Sequence, residues 1–204
     1  MKEEIQQRVK EIKQSFRLMM DGAIAQSIRQ KGLDYHVNWG ATLPRLRAMA
    51  DEMGKDYDLA IALWKENVRE CKILATMVMP AEKVLPAVVD IWMEQTTTVE
   101  IAEQAAFNLY QHLPFAASKA FEWLASAEDL PQICGYHVLS RLFMQGQEPN
   151  ERGINEFVDQ AVTALNSPNV TLRKAAYQSL QHLSALGLMY ERLVSSALRR
   201  NGFG

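Results

Sequence analysis

The sequence predicts an all-α protein made of stacked helix pairs, and three observations carry that prediction. Apolar residues recur at the spacing of one helix face, whereas no short run alternates in the way a half-buried β-strand does. A pattern of helix, break and helix occurs four times, with first helices predicted to end on Trp64, Trp92, Trp123 and Leu165. The second helices are predicted to begin near Arg69, Glu100, Gln132 and Thr171, which by subtraction are 31, 32 and 39 residues apart. Because a helix pair cannot bury its apolar faces alone, successive pairs must stack into an α-solenoid.

Length and charge narrow the class of protein. A chain of 204 residues, 48% of them apolar, is long enough for one well-packed domain. We therefore expect a single solenoid domain over residues 1–204, in which residues 1–31 form an N-terminal capping helix and residues 42–202 form the stacked pairs. The formal net charge of −2 argues against a strongly basic nucleic-acid binder, but the 22 lysines and arginines could still gather on one face.

The sequence carries no signal for membrane insertion or metal binding. No segment is long and apolar enough to span a membrane, and charged residues in the stretch 1–16 interrupt any signal-peptide core. Cys71 and Cys134 lie among apolar neighbours in predicted helices, which is typical of reduced, buried thiols. The four histidines show no metal-ligand spacing. We expect a cytoplasmic monomer without a metal or other cofactor.

In chain order, the N-terminal part is predicted to hold three helices and one loop. Residues 3–30 have the pattern of one long amphipathic helix, which Gly22 is expected to bend and Gly32 to end. Its inner face is predicted to carry Ile5, Val9, Ile12, Phe16, Met19, Met20, Ala23 and Ser27. Residues 31–41 have turn residues and aromatics without a helical period, so they form a loop. Thr42 is expected to cap a helix that stops at Gly54, and the next helix is predicted at 56–65.

The stretch 63–79 is predicted to hold the first break between paired helices. Asn67 is expected to cap the second helix, with Glu70 three residues on as in a capping box. Its apolar face is predicted to carry Val68, Cys71, Leu74, Ala75 and Val78. Thr97 and Glu100 are predicted to form a second capping box. The remaining helices are predicted at 81–95, 99–113, 115–126, 129–144, 154–165, 170–185 and after Gly187 to 201, with a polar loop at 146–153.

The second helices of a solenoid of the HEAT type usually line its concave side, where a ligand binds. The polar side chains that these helices contribute are Arg69, Lys72, Glu100, Glu103, His137, Arg173, Lys174 and Gln181. We therefore expect a concave groove that carries these residues.

Part of the sequence resembles a known family. Trp39-Gly40 and the segment LPRLRAMADEMGKDYDLAIALWKENVRECKILATMV are similar to the DNA alkylation repair family of AlkD-like DNA glycosylases, in register to about Ser184. The resemblance implies a HEAT-like helical solenoid that holds duplex DNA in a basic concave groove. It also implies hydrolytic excision of positively charged N3- and N7-alkylated purines, without a cofactor or metal.

The resemblance also implies a mechanism and its acid. In the family a carboxylate stabilises the oxocarbenium-like sugar and positions water, while tryptophans contact the sugar and lesion and arginines hold phosphates. The acidic motif falls on residues 99–103. Glu103 matches the catalytic acid, and Val99 stands at a tryptophan position.

Two later motifs of the family match in part. One falls near Tyr136 and His137, without its arginines. The other matches Arg173-Lys174-Ala175, after which Gln178 and Gln181 replace a tryptophan and an arginine. The candidate DNA-binding residues are therefore Arg69, Lys72, Tyr136, His137, Arg173, Lys174 and Gln181.

Each candidate also has a structural interpretation. Glu103 is either the acid or a solvated helix glutamate, and Glu100 is more simply a capping residue. Arg69 and Lys72 could form a solvated face. Tyr136 and His137 could pack against a neighbouring repeat instead of stacking on a base.

Three functions remain open from the sequence. The first is a DNA-lesion glycosylase, the second a relative that binds distorted or branched duplex without excision, and the third a protein-interaction solenoid. The replaced tryptophans and arginines argue against the first, and the near-neutral charge argues against the first two. The similarity of the N-terminal half favours the first two. We expect a divergent family member with weak or lost glycosylase activity and duplex DNA as its partner, with a protein partner as the alternative.

Overall fold

The computed structural model describes residues 2–203, and this range contains twelve α-helices and no β-strand. The chain forms two compact units, unit 1 at Met1–Leu113 and unit 2 at Pro114–Gly204. The all-α prediction is therefore confirmed for the described residues, while positions 1 and 204 of the expected domain lie outside them. None of the helices in this range combines the length and apolarity that crossing a bilayer requires.

Unit 1 contains seven helices and a long loop. The helices are α1 (Lys2–Leu18), α2 (Gly22–Gln30), α3 (Leu43–Met53), α4 (Tyr57–Trp64), α5 (Arg69–Val78), α6 (Pro86–Glu94) and α7 (Val99–Asn108), with short 3-10 turns at Ala81–Lys83 and Tyr110–His112. The predicted loop at 31–41 is confirmed, and it makes one isolated parallel bridge between Val37 and Val68. Thr42 and Gly54 flank α3 as predicted.

The prediction of one long N-terminal helix is wrong, because the chain breaks between α1 and α2. Asp21 is the N-cap of α2, and its carboxylate accepts a hydrogen bond from the backbone N–H of Ile24 at 3.0 Å. The break changes the phase of the apolar face. Ala25 and Ile28 are the buried residues of α2, whereas Met20 is exposed.

Helix α5 is the centre of unit 1. It packs against α3, α4 and α7, and Lys72 is the one residue of the helix that is not fully buried. Cys71 is a free, buried thiol whose pKa burial raises to about 12, as expected of a structural cysteine. Trp64 and Trp92, at corresponding positions in α4 and α6, stack with ring centroids 4.1 Å apart. Both tryptophans are 2% exposed and therefore belong to the core of unit 1.

Gly40 fixes the path of the loop against the start of α2. Its φ of +74° lies in the left-handed region. A Cβ at this position would stand 2.2 Å from the carbonyl oxygen of Asp21, so a larger residue cannot fit without moving the backbone. The neighbouring Trp39 carbonyl accepts a hydrogen bond from the backbone N–H of Asp21 at 2.9 Å.

Unit 2 contains five helices. They are α8 (Ala116–Leu124), α9 (Asp129–Met144), α10 (Glu151–Ala164), α11 (Val170–Ser184) and α12 (Leu188–Arg200). Helix α9 packs between α8 and α11, and α12 packs on α10 and α11. The predicted polar loop at 146–153 is shorter than expected because α10 already begins at Glu151. Cys134 is a free, buried thiol on α9.

The expected starts of the second helices agree with the structure to within three residues. These helices, α5, α7, α9 and α11, begin at Arg69, Val99, Asp129 and Val170. Both predicted capping boxes are wrong, however. Val68 is the N-cap of α5 and makes no side-chain hydrogen bond there, and Thr98 rather than Thr97 caps α7. The two glutamates of these boxes have other partners.

Candidate functional site

Unit 1 contains a buried ionic network at the starts of α5 and α7. The Arg69 side chain is only 4% exposed, and its guanidinium donates to both carboxylate oxygens of Glu100 at 2.8 and 2.5 Å. The Tyr35 hydroxyl, from the loop, donates to the same carboxylate at 2.6 Å and lies 2.8 Å from the Thr98 hydroxyl. This bidentate geometry is typical of a strong arginine–carboxylate pair.

Glu70 connects the same network to the backbone of the loop. Its fully buried carboxylate accepts hydrogen bonds from the backbone N–H groups of Trp39 and Ala41, at 3.2 and 3.3 Å. It also accepts a bond from the Arg69 guanidinium at 3.2 Å. Arg69 in turn donates to the Ala41 carbonyl at 3.0 Å. The network therefore holds residues 31–41 against α5 and α7.

The network changes the ionisation of its members. Burial alone would raise the pKa of the Glu100 carboxyl, but the hydrogen bonds from Arg69 and Tyr35 outweigh burial and hold that pKa below its usual value. Burial and the bond to Glu100 raise the pKa of the Tyr35 hydroxyl. Arg69, Glu100 and Tyr35 thus stay in fixed charge states near neutral pH. This behaviour is that of a structural element.

Candidates that are close in sequence have different environments in the structure. This holds for Arg69 and Lys72 and also for Glu100 and Glu103. Arg69 and Glu100 are bound to each other, so neither side chain forms part of an open surface. Lys72 is half-buried, with its ammonium 4.4 Å from the ring centroid of Trp64. Glu103 lies on the exposed side of α7. Among the acids of the 99–103 motif, Glu103 is therefore the one that faces solvent.

In unit 2 the structure places Tyr136 in the core. Its side chain is 1% exposed, and its ring packs edge-on against Phe157 with centroids 6.1 Å apart. Gly135 does not expose the backbone either, because a Cβ there would stand 2.8 Å from the Ala120 carbonyl of α8. His137 is half-buried on α9. Tyr136 therefore has the environment of a packing residue and not of a stacking platform.

The two basic residues at the start of α11 also differ in environment. Arg173 is half-buried, and its guanidinium donates to the carbonyls of Ser167 and Pro168, at 2.6 and 3.2 Å. Those bonds fasten the turn that precedes α11. Lys174 points outward and is exposed, and it forms no ion pair with any residue of the described range.

An exposed stripe runs along α11 from Lys174. It consists of Lys174, Tyr177, Gln178 and Gln181, all exposed, and the Tyr177 ring is 47% accessible. Their spacing of i, i+3, i+4 and i+7 places them on one side of the helix. Tyr177 was not among the sequence candidates. Its position one turn after Lys174, outside the apolar face, is the signal that could have identified it.

The charge of the chain is unevenly distributed. Helices α11 and α12 together carry five basic side chains and one acidic side chain, although the whole chain has a net charge of −2. The basic residues are Arg173, Lys174, Arg192, Arg199 and Arg200. The C-terminal helix pair of unit 2 is thus cationic in a weakly acidic protein.

Two groups of residues bear on the possible chemistry, namely the tryptophans, which could stack on a base, and the side chains that could bind a metal. Trp64, Trp92 and Trp123 are buried in the cores of their units, and Trp39 is half-buried with the Arg17 guanidinium 5.8 Å from its ring centroid. Within the part of the chain that the structure describes, no three His, Cys, Asp or Glu side chains come together as a metal site.

Comparisons with known proteins agree with this architecture. The family described as DNA alkylation repair enzyme matches residues 12–185. A solved structure from a family related to the HEAT-like repeat DNA glycosylases, with affinity for branched DNA structures, superposes with a TM-score of 0.80. The superposition covers 93% of this chain and 80% of the other chain at 14% sequence identity, so it shows a shared HEAT-like fold. No curated protein sequence matches the chain.

Proposed function

The chain belongs to the DNA alkylation repair enzyme family, and from this premise we propose that it binds the backbone of duplex or branched DNA through the exposed stripe of α11. The observation that carries the proposal is the stripe itself, in which Lys174 and the accessible Tyr177 ring stand one turn apart. Lysine contacts phosphate, and a tyrosine ring packs on sugars or unstacked bases. Affinity for branched DNA in a protein of the same fold supports this proposal.

The stripe favours recognition of DNA structure over recognition of sequence. Gln178 and Gln181 supply further hydrogen-bond donors along the same side of the helix. Aromatic side chains gain most from bases that are already unstacked, which occur at junctions and single-stranded ends. We therefore expect tighter binding to a four-way junction than to a plain duplex of equal length.

A salt-dependent titration tests the proposal. Lys174→Ala should weaken binding to every DNA similarly and reduce the slope of log K against log salt by about one, because one phosphate contact is lost. Tyr177→Ala should weaken junction binding more than duplex binding. Arg152→Ala, which removes an exposed cation from α10 of the same unit, is the matched control. Unchanged slopes and affinities in both stripe variants would remove α11 from the interface and favour a protein partner.

Alkylpurine excision is the second candidate function, and the exposed position of Glu103 on α7 favours it. Glu100 is held by Arg69 and Tyr35, so Glu103 is the acid of the motif that could approach a sugar. The burial of three tryptophans and the presence of Val99 at an aromatic position argue for weak activity, since a cationic base gains little without an aromatic face.

Base release separates these two functions. Duplex DNA that carries 7-methylguanine or 3-methyladenine is incubated with the protein and with Glu103→Gln. Release that is lost in the variant would assign the acid to Glu103. Equal background release from both proteins, together with intact DNA binding, would leave binding without excision as the function.

A further inference from the structure

Unit 1 contains a polar cavity of about 330 Å³ beside the ionic network. It opens where α5 and α7 begin and where the chain leaves α4 and α6. The side chains that bring hydrogen-bond donors or positive charge to its lining are Lys65, Asn67, Arg69, Lys72, Gln95 and Thr97. No carboxylate of residues 2–203 lines it. The cavity is thus rich in donors and poor in acceptors.

The charges of the lining do not cancel. Arg69 is paired with two carboxylates, those of Glu100 and Glu70, so the formal charge of this trio is −1. Lys65 and Lys72, in contrast, form no ion pair within the described range, so the cavity and the adjacent trio together keep a formal charge of +1. Burial lowers the pKa of Lys72, because it partly removes the charged ammonium from water. An anion in the cavity would relieve that penalty.

The neutral donors are also available. The indole N–H of Trp64 donates to the Gln95 side-chain oxygen at 2.9 Å. Because the indole nitrogen can only donate, the acceptor must be the amide oxygen, and the NH2 group of Gln95 keeps its two donors. Asn67 and Thr97 are exposed at the rim. The hydroxyls of Tyr35 and Thr96 are already used, in bonds to Glu100 and to the Trp92 carbonyl.

We propose that this cavity is a binding site for a phosphate group, held by Lys72 and Lys65 and oriented by the amides of Gln95 and Asn67 and the hydroxyl of Thr97. A tetrahedral oxyanion offers several acceptor oxygens to such a set of donors, and two lysines supply charge in a site that carries no acid of its own. The site is formed by residues of unit 1 alone, and phosphate binding there does not depend on the stripe of α11. The phosphate belongs either to a free phosphate compound or to a DNA backbone, and the same chemistry serves both.

Trp64 provides a direct readout of occupancy. The Lys72 ammonium lies over its ring, so an anion that draws the ammonium away changes the tryptophan emission. Pyrophosphate is titrated at constant ionic strength into the wild type, Lys72→Met, Lys72→Arg and Lys83→Met. Binding to every variant is measured by isothermal titration calorimetry, because Lys72→Met also removes the contact that the emission reports. Lys83 is an exposed lysine of unit 1 outside the cavity. We expect saturable binding to the wild type, about tenfold weaker binding to Lys72→Met, and near-wild-type binding to the other two variants.

A second variant, Thr97→Val, tests the site even if Lys72→Met destabilises the protein. Thr97→Val removes one rim donor without touching the core, and it should weaken pyrophosphate binding a few-fold. The proposal is wrong if the wild type shows no saturable change, or if Lys72→Met and Thr97→Val both bind pyrophosphate as the wild type does.

Titration with a short DNA duplex distinguishes the two sources of phosphate. If Lys72→Met weakens both pyrophosphate and DNA binding, the site takes a phosphate of the DNA backbone. If it weakens pyrophosphate binding alone, the site takes a free phosphate compound. Lys174→Ala should leave pyrophosphate binding unchanged, so failure of the DNA interface on α11 does not mimic failure of this site.

Discussion

Helices α7 and α11 are both second helices of a pair, yet they use the charges near their starts in opposite ways. On α7, Glu100 is drawn into a network with Arg69 and Tyr35 and holds the 31–41 loop. On α11, Lys174 is exposed and free of ion pairs among the described residues. The fifth residue of α7 is Glu103, and the fifth residue of α11 is Lys174. The same scaffold therefore carries a buried, paired charge in one repeat and an exposed, unpaired charge in another.

The difference follows from the environment of each charge. A buried ion pair contributes little when it is intact, but removal of one partner leaves an uncompensated charge in a medium of low dielectric constant. Truncation of an exposed lysine hardly changes the free energy of unfolding. It changes binding if a ligand contacts the ammonium. Substitutions on α7 should thus appear in unfolding experiments, and substitutions on the stripe of α11 should appear in binding experiments.

Glu100→Ala should produce the largest effect. It leaves the guanidinium of Arg69 buried without its bidentate partner, and we expect a loss of about 3 kcal/mol in the free energy of unfolding. Chemical denaturation followed by circular dichroism measures the change. Glu94→Ala, at an exposed position of α6, should change stability by less than about 0.5 kcal/mol. Equal effects of the two substitutions would show that the ion pair of Glu100 on α7 does not contribute to stability.

Lys174→Glu should give the next largest effect, and on binding only. The reversed charge repels phosphate, so we expect about tenfold weaker binding to a DNA junction, equivalent to about 1.4 kcal/mol. The free energy of unfolding should stay within about 0.5 kcal/mol of the wild type, because the side chain is exposed. Fluorescence anisotropy and denaturation on the same preparations measure both quantities. A stability loss comparable to that of Glu100→Ala would show that the two helices do not divide these roles.

Tyr35→Phe tests the loop side of the network. It removes the hydroxyl that donates to Glu100 but keeps the ring, so we expect a loss of about 1 kcal/mol in the free energy of unfolding. Tyr57→Phe is a matched control, since the structure shows no hydrogen bond from the Tyr57 hydroxyl within residues 2–203. If both variants are as stable as the wild type, the loop is held by its contacts with Glu70 and with the Arg69 guanidinium, and the Tyr35 hydroxyl adds no stability.

Lowering the pH should reduce the contribution of the Glu100 network to the free energy of unfolding. The pKa of Glu100 is lower in the folded protein than in the unfolded chain, so its stabilisation is fully present above the unfolded value of about 4.3 and is lost as the pH falls through the folded value. The stability difference between the wild type and Glu100→Gln should therefore narrow between neutral pH and pH values below about 4. A difference that stays constant over this range would contradict a lowered pKa for Glu100.

Local sequence patterns predicted the helices well, because helical periodicity and caps act over a few residues. The starts of α5 and α11 were placed within one residue, and Thr42 and Gly54 were assigned correctly to the two ends of α3. The break before α2 was predicted only as a bend at Gly22, even though Asp21 is a good N-cap residue. The apolar stripe continued across it and concealed the change of phase.

Long-range pairing explains why the candidate site was harder to predict. Glu70 and Glu100 both stand where a capping box would place them, but partners about 30 residues away bind them instead. Tyr136 lies next to a glycine in the sequence, yet its ring is buried and packs against Phe157 of α10. The exposure of Lys174 could be inferred from its helix face, whereas the carbonyl partners of Arg173 depend on the preceding turn.

The hydrogen bonds that hold the 31–41 loop against α5 and α7 have a consequence for the order of folding. Tyr35 and Glu100 are 65 residues apart in sequence, while Trp39 and Glu70 are 31 apart. The loop can therefore be held only after α5 and α7 have formed and packed, since closing these separations early is entropically unfavourable. In a refolding experiment with pulsed hydrogen exchange, we expect the amides of Trp39 and Ala41 to become protected later than those of α5. The segment that joins the N-terminal helices to the rest of unit 1 would then be the last part of the unit to become ordered.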